Sequence, residues 1–435
     1  MTRIHEATSG AAGHGDAGRA VADVLISGAS FAGLTLALAL SDAFSGDISL
    51  IVIDRAQAAD GAARGANLTD SRASAISAAS RHLLTTLGIW PAIADAAQPV
   101  SRIEITDSSL QAGIRPVQLS YDNALETGEP ATWIVPNSAL IAALERAVSA
   151  RPSIVVRRGA GVRGLATGTL VATVTLEDGD TLDARLVVAA DGRRSALREA
   201  AGIKIVGWDY GQTGIVTTVA HERPHDGVAV QHFLPAGPFA ILPLTGNRSC
   251  ITWSEETAEA RRLLALDDAR FLDEIDLRFG GKRGPLSLAG PPGAPRQSWP
   301  LEVHLARSYV ARRFALVGDA AHGVHPIAGQ GLNLGLRDVA ALTEVVADAA
   351  RLGLEPGDAE ALARYERWRR FDSMLSAATY DGLNRLFSND WTLVRAARGL
   401  GMGLLDRMPG IKRMLVAEAA GLAGEVPKLL RGERV

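Results

Sequence analysis

Gly318-Asp319-Ala320-Ala321-His322-Gly323-Val324-His325-Pro326-Ile327-Ala328-Gly329-Gln330-Gly331-Leu332-Asn333-Leu334-Gly335-Leu336-Arg337-Asp338 is the stretch on which the reading of this chain turns. It follows Phe314-Ala315-Leu316-Val317, a short apolar run that predicts a buried strand, and Gly318-Asp319 closes that strand with a turn. A carboxylate at such a strand end accepts hydrogen bonds from sugar hydroxyls. Gly329, Gly331 and Gly335 carry no Cβ, so backbone there can approach a flat ligand closely. From Asn333 to Asp348 the apolar spacing is helical, and the first turn would present free N–H groups and a positive dipole end to an anionic ligand. A ligand-free glycine loop would use the same glycines, so the rest of the chain has to discriminate.

Three other segments do. Ala22-Asp23-Val24-Leu25-Ile26-Ser27 reads as a strand that runs into Gly28-Ala29-Ser30-Phe31-Ala32-Gly33 and then an apolar helix from Leu34 to Leu40, the context a dinucleotide fingerprint needs. Ile48 to Ile53 predicts a second strand, and Asp54 follows it roughly 20 residues beyond the glycine turn, where an acid can bind a ribose hydroxyl. Leu186-Val187-Val188-Ala189-Ala190-Asp191-Gly192 is again a strand ended by an acid and a glycine, although Asp-Gly is common in ordinary turns. In Asp70-Ser71-Arg72-Ala73 the guanidinium suits phosphate geometry, and an arginine opening a surface helix is the alternative.

The run from His325 to Asp338 resembles the signature of the ubiquinone-biosynthesis hydroxylases, a branch of the group A FAD-dependent aromatic monooxygenases. Asp191-Gly192 and Asp70-Ser71-Arg72-Ala73 are similar to the family's Asp-Gly and Asp-x-Arg segments, and Asp209 to Val216 and Phe233 to Leu244 extend the resemblance over most of the chain. One departure stands in the fingerprint, whose middle glycine is Ser30. The resemblance implies FAD held by Gly28, Ser30, Phe31, Ala32, Gly33, Asp54, Arg55, Arg72, Asp191, Gly192, Gly318, Asp319, Pro326, Gly329, Gly331, Leu332 and Asn333. It also implies NADPH or NADH as electron donor and dioxygen as oxygen source, with transfer to an electron-rich ring through a flavin hydroperoxide. The protein then supplies a dry pocket and groups that position the ring, with no nucleophile and no metal. His322 and His325 beside Asp319 are expected to make supporting hydrogen bonds rather than bind a metal ion.

The expected fold is α/β, α+β overall. A Rossmann-like FAD-binding domain over 21–100, 132–206 and 303–350 is discontinuous, since its motifs spread from Gly28 to Asn333. Stretches of β patterning at 101–131 and 207–302 predict an antiparallel-sheet substrate domain. Residues 351–435 form a C-terminal helical region, with Tyr365, Trp368, Phe371, Leu375 and Leu383 among its apolar positions. Residues 1–20 are expected to be a disordered tail without a signal-peptide core.

Composition agrees with a cytoplasmic enzyme. At 435 residues and 47% hydrophobic, the chain can bury two or three domain cores. A net charge of −3 argues against nucleic acid as a partner. Cys250 is the only cysteine, which excludes an intrachain disulfide and fits a reducing compartment, and its apolar surroundings predict a buried thiol. From Trp391 onward, eight basic residues (Arg395, Arg398, Arg407, Lys412, Arg413, Lys428, Arg431, Arg434) face four acids (Asp406, Glu418, Glu425, Glu433). Beside them Leu404, Leu405, Met408, Ile411 and Leu415 suit either a helix lying on an anionic membrane surface or one packed on the FAD domain with a solvated basic face.

Candidates for the ring pocket are Tyr210, Gln212, His232, Pro243 and Trp253 from the substrate sheet, with Pro326 and Ile327 on the flavin side. The expected activity is ring hydroxylation of a polyprenylated phenol in ubiquinone biosynthesis, with peripheral contact to the cytoplasmic membrane face and membership of a biosynthetic complex as associated readings. Two alternatives stay open: a hydroxylase of the same fold acting on a small soluble aromatic, and a non-catalytic FAD-binding scaffold.

Overall fold

The computed structural model describes residues 21–57, 70–107, 110, 116–290, 296–326, 329–388, 398, 401–404 and 406–435. The tail expected over residues 1–20, together with Ile327, Arg395 and Leu405, lies outside them.

Val21–Ser27 is the centre of a sheet in which it pairs in parallel with Leu50–Asp54 on one side and Thr181–Ala189 on the other. Ile154–Arg158 extends the sheet beyond Leu50–Asp54, and Phe314–Leu316 beyond Thr181–Ala189, both in parallel. Parallel strands covered on both faces read as unbroken apolar runs. Val24 to Ile26 and Leu186 to Ala189 are accordingly fully buried. Helix Phe31–Ala43 is buried at every position from Gly33 to Ser41, because it lies among the sheet and the helices Asn137–Ser149 and Gly331–Arg351.

This topology positions the site. Gly28, Asp54, Asp191 and Gly318 each stand at or just past the C-terminal end of one of these parallel strands. Strands that run the same way end at the same edge, so four motifs far apart in sequence meet in one crevice.

The second sheet has nine strands, ordered His322–Gly323, Arg296–Ala306, Ile205–His221, Arg248–Glu256, Gly237–Leu244, Val228–Leu234, Arg102–Asp107 and Val117–Asp122, with Leu286–Leu288 paired to Ile205–His221. Its pairings are antiparallel except that of Val228–Leu234 with Arg102–Asp107. Helices Thr257–Leu264 and Asp268–Phe279 cover its outer face over a core that includes Phe239, Trp253 and Phe271. A three-stranded sheet of Ala73–Ser77, Thr132–Pro136 and Gln98–Pro99 packs on the nine-stranded sheet through Ala75, Ile134, Val216 and Cys250, and its Ile76, Trp133 and Val135 belong to the core of the parallel sheet. Cys250 is buried, and burial pushes its thiol up to about 12.

The C-terminal region is helical over Ala359–Phe387 and Pro409–Ala419. Leu429 and Leu430 are buried near the helix Ala78–Thr86, and Lys428 pairs with Glu344, so the last residues pack on the core. Arg398 is also buried, paired with Asp107. By contrast Leu404, Met408, Met414 and Leu415 are exposed, as are Phe371 and Leu375, whereas Tyr365 is fully buried.

Candidate functional site

A cavity of about 820 Å³ opens between the parallel sheet and the nine-stranded sheet, within the range of small-molecule sites. One end is lined by Gly28, Ser30, Phe31, Ala32, Asp54, Arg72, Asp191, Gly192, Gly318, Asp319, Pro326, Gly329, Gly331 and Leu332. Three residues named with them do not line it. Gly33 is packed beneath the first turn, where a Cβ would lie 1.9 Å from the Gly28 carbonyl oxygen. Arg55 is exposed. Asn333 is buried and staples the long helix to the small sheet, with Nδ2 donating to Ala75 O (2.8 Å) and Oδ1 accepting from Ser77 N (3.1 Å).

The turns are built by backbone constraint. Gly28 has φ +110°, and a Cβ there would meet Ala190 O at 2.3 Å, so the first strand's exit and the Asp191 loop touch through glycine alone. Gly318 (φ +60°) packs against Ala32 and Gly335, where a Cβ would lie 3.3 Å from the Ala32 methyl, so there it is the positive φ that favours glycine. Asp54 binds the glycine turn directly: Ala29 N donates to Oδ2 at 2.6 Å and Ala56 N to Oδ1 at 2.7 Å.

Two helix N-termini, those of Phe31–Ala43 and Gly331–Arg351, open on this end of the cavity, and neither carries a side-chain cap or an acid in its first turn. Their unpaired N–H groups and dipoles favour an anionic group between them. Arg72 ion-pairs with Asp70 at 2.8 Å and lies 5.6 Å from the Trp299 ring, at the same cavity. Asp191 is pushed up by burial, and its Oδ1 is buried without a hydrogen-bond partner. Glycine turns, two bare helix ends, acids at strand ends and an orphaned carboxylate oxygen together fit the pyrophosphate and ribose hydroxyls of FAD.

Behind this wall lies a buried ionic network. Asp338 Oδ2 accepts from Gly318 N (2.9 Å) and His322 Nε2 (2.6 Å), while Oδ1 accepts from Arg369 Nε (2.7 Å). Burial opposes the Asp338 charge, yet His322 and Arg369 outweigh it and hold the carboxyl below its usual range. His322 therefore makes the supporting bond expected of it. His325 does not: both ring nitrogens are buried without partners, and its ring meets Tyr210 edge-on at 5.1 Å.

The other end of the cavity is apolar. It is lined by Ile103, Ile105, Tyr121, Ala229, Gln231, Phe233, Ala240, Leu242, Thr252 and Leu383. Of the ring-pocket candidates, only Pro326 lines the cavity among the described residues. Tyr210 meets His325 edge-on and donates its hydroxyl to Asp381 at 2.9 Å. Gln212 is engaged with Ala236 O and Asn384. His232 bonds Thr106, and Trp253 lies in the core beneath the two outer helices.

The pleat decides these placements, since alternate residues of a strand face opposite sides. Ala229, Gln231 and Phe233 take the cavity face, which puts His232 on the other. Likewise Ala240 and Leu242 line the cavity and Pro243 does not. Both faces of this sheet are covered, so the sequence carries no polar alternation to tell them apart. Gln231, Thr252, Tyr121 and Trp299 were missed for that reason.

Comparison with known proteins bears on the same residues. The FAD binding domain family model matches residues 21–373. Ubiquinone hydroxylase UbiL of Rhodospirillum rubrum is 46% identical over 415 residues, covering 95% of this chain and 93% of the relative. The 3-demethoxyubiquinol 3-hydroxylase of Escherichia coli is 33% identical over 404 residues, covering 92% and 98%. Among solved structures, p-nitrophenol 4-monooxygenase PnpA from Pseudomonas putida superposes with a TM-score of 0.74 at 17% identity, covering 94% of this chain and 99% of that one, which is a likeness of fold.

Proposed function

The chain belongs to the ubiquinone-biosynthesis hydroxylases, FAD-dependent aromatic monooxygenases, and from that premise we propose that it hydroxylates the ring of a polyprenylated phenol. The balanced reaction takes the phenol, dioxygen, NAD(P)H and a proton to the ring-hydroxylated phenol, NAD(P)+ and water. FAD supplies the redox chemistry when bound. The observation that carries the reading is one cavity with anion-binding turns at one end and a largely apolar wall of the nine-stranded sheet at the other.

The residues divide the work by position. Gly28, Ser30, Asp54, Asp191, Gly318, Asp319 and the Gly331 helix end hold the cofactor, with Arg72 at its phosphates. Pro326 and the sheet wall enclose the ring and exclude water. The division into an FAD domain (21–100, 132–206, 303–350), a substrate domain (101–131, 207–302) and a C-terminal helical region accords with the two sheets. Strands Ile205–His221 and Arg296–Ala306 cross its limits as a shared seam.

Peripheral membrane contact belongs to the same proposal. Phe371, Met374 and Leu375 are exposed at i, i+3 and i+4 of helix Ala359–Phe387, and Met414 and Leu415 are exposed on Pro409–Ala419 beside Arg413. No described helix is long and apolar enough to cross a membrane. A lipid-tailed substrate would reach the cavity from a bilayer surface. The test of the activity is direct: the FAD-loaded protein with NAD(P)H, dioxygen and a prenylated phenol should yield a product heavier by one oxygen. NAD(P)H consumption that forms only hydrogen peroxide with every prenylated phenol would overturn the reading.

A further inference from the structure

Five cavity-lining residues share one cross-strand row of the nine-stranded sheet: Ile105 pairs with Gln231, Gln231 with Ala240, Ala240 with Thr252, and Thr252 with Val216. In that row Gln231 and Thr252 are polar, and Ala240 between them carries only a methyl group. Strands lie about 4.8 Å apart, so the two polar residues stand roughly 10 Å apart at the backbone. That gap suits a substituted benzene ring lying over Ala240.

The Gln231 amide nitrogen is buried and has no hydrogen-bond partner. Native proteins rarely leave such a donor unsatisfied, and Gln231 is one of the residues that line the cavity. The charged residues that line the cavity, Asp54, Arg72, Asp191, Arg193 and Asp319, come from outside this sheet wall. Among the described residues the wall therefore offers neutral hydrogen-bonding groups and no cation.

We infer that Gln231 and Thr252 are the specificity-determining residues of the ring site, hydrogen-bonding the oxygen substituents of a neutral phenol placed over Ala240. The inference rests on the proposed ring hydroxylation and adds the groups that orient the ring. A ring bearing a carboxylate would lose its hydration against this wall with no counter-charge to replace it. The site thus selects phenols without an acidic substituent.

The test is binding to the FAD-loaded full chain, measured by calorimetry and by the change in flavin absorbance. The probes are a short-chain prenylated phenol, its analogue lacking the hydroxyl, and the same phenol carrying a carboxylate. Wild type should prefer the phenol to both by about 10-fold or more. Gln231→Met should weaken phenol binding about 10-fold, reduce the preference over the deoxygenated analogue, and raise KM more than it lowers kcat. Thr252→Val should act in the same direction and Thr252→Ser should restore binding, a pair that serves even if the Gln231 variant fails to fold. Ala240→Leu should block the ring while FAD content stays at the wild-type level.

Equal binding of phenol and deoxygenated analogue by wild type would overturn the assignment. So would an unchanged preference in Gln231→Met and Thr252→Val proteins with full FAD content. If wild type shows the preference yet makes no oxygenated product, the proposed function fails while the binding assignment stands.

Discussion

Asp319 sits in the tight turn Gly318–Ala320, lining the cavity, with its carbonyl oxygen anchored by His304 Nε2 at 2.8 Å. Because the turn is held through backbone, its carboxylate is free of the burden of folding, and Asp319→Ala should strip FAD while leaving the fold intact. The expected result is flavin content below about a tenth of wild type with an unchanged far-ultraviolet spectrum, in line with the loss of charge-assisted bonds to ribose. Full flavin occupancy would refute the role. His325 makes a different prediction. Burial pushes its imidazole down to about 4, from an ordinary value of 6.5. In the unfolded chain the ring takes up its proton near pH 6.5, whereas in the folded protein it stays neutral to about pH 4. The unfolded state binds more protons across that window, so stability falls as pH drops through it, by up to about 3 kcal/mol from this residue. Denaturant unfolding at pH 7 and pH 4.5 should show a smaller loss for His325→Gln than for wild type, and identical losses would exclude the account.

At the scale of elements, helix Gly331–Arg351 links cofactor end, core and C-terminal helices. Its first turn opens on the cavity, and one face buries Leu336, Val339, Ala340 and Leu342 against the core. Asp338 on the same helix clamps the Gly318 turn and pairs with Arg369 of helix Ala359–Phe387. Replacing it by Asn keeps the shape but removes the carboxylate that binds His322 and Arg369, leaving buried Arg369 with Asp372 as its remaining ion-pair partner. Breaking a buried pair costs about 3–5 kcal/mol when the charge left behind has no partner, and the Asp372 contact puts this change at or below the lower end of that range. Asp338→Asn should therefore show a denaturation midpoint shifted to match and weaker FAD retention, since Gly318 N loses its carboxylate acceptor. A loss under about 1 kcal/mol would mean that the network is not holding the turn. Elements in this region were legible in advance because their patterns are local. The strand at Phe314–Leu316, the helix after the glycines and the long helix from Ala359 all follow from apolar spacing and glycine punctuation. The helix begins two residues earlier than its apolar spacing indicates, because Gly331 and Leu332 enter the first turn as cavity lining rather than as core.

For the whole molecule, the last residues pack on the core while several apolar side chains of the C-terminal helices stay exposed. Four basic side chains of the tail are occupied: Arg398 by Asp107, Lys412 by Asp406, Lys428 by Glu344 and Arg431 by Glu433. Among the described residues, the exposed apolar groups of this region include Phe371, Met374, Leu375, Leu404, Met408, Met414 and Leu415. Adsorption driven by them would depend on apolar area more than on charge. We expect the protein to co-sediment with vesicles containing anionic lipid. Phe371→Glu with Met414→Glu should weaken that binding about 10-fold, and raising salt to 0.5 M should weaken it less. Binding that vanishes with salt and ignores the two substitutions would place the contact on basic residues instead.

The cofactor end was readable from the amino-acid order because each of its motifs is a strand, a turn and a helix start, formed within a dozen residues by local geometry. Asp54, Asp191 and Asp319 are recognisable by standing at strand ends, and parallel pairing then brings all three to one edge. The ring end was not readable. Its wall is assembled from strands as distant as Arg102–Asp107 and Arg248–Glu256, and the sheet is buried on both faces, so His232 and Gln231 look equally eligible until the pleat is seen. Only tertiary structure chose between them: the outer helices claimed the face of His232 and Trp253, and the face of Gln231 was left to the cavity.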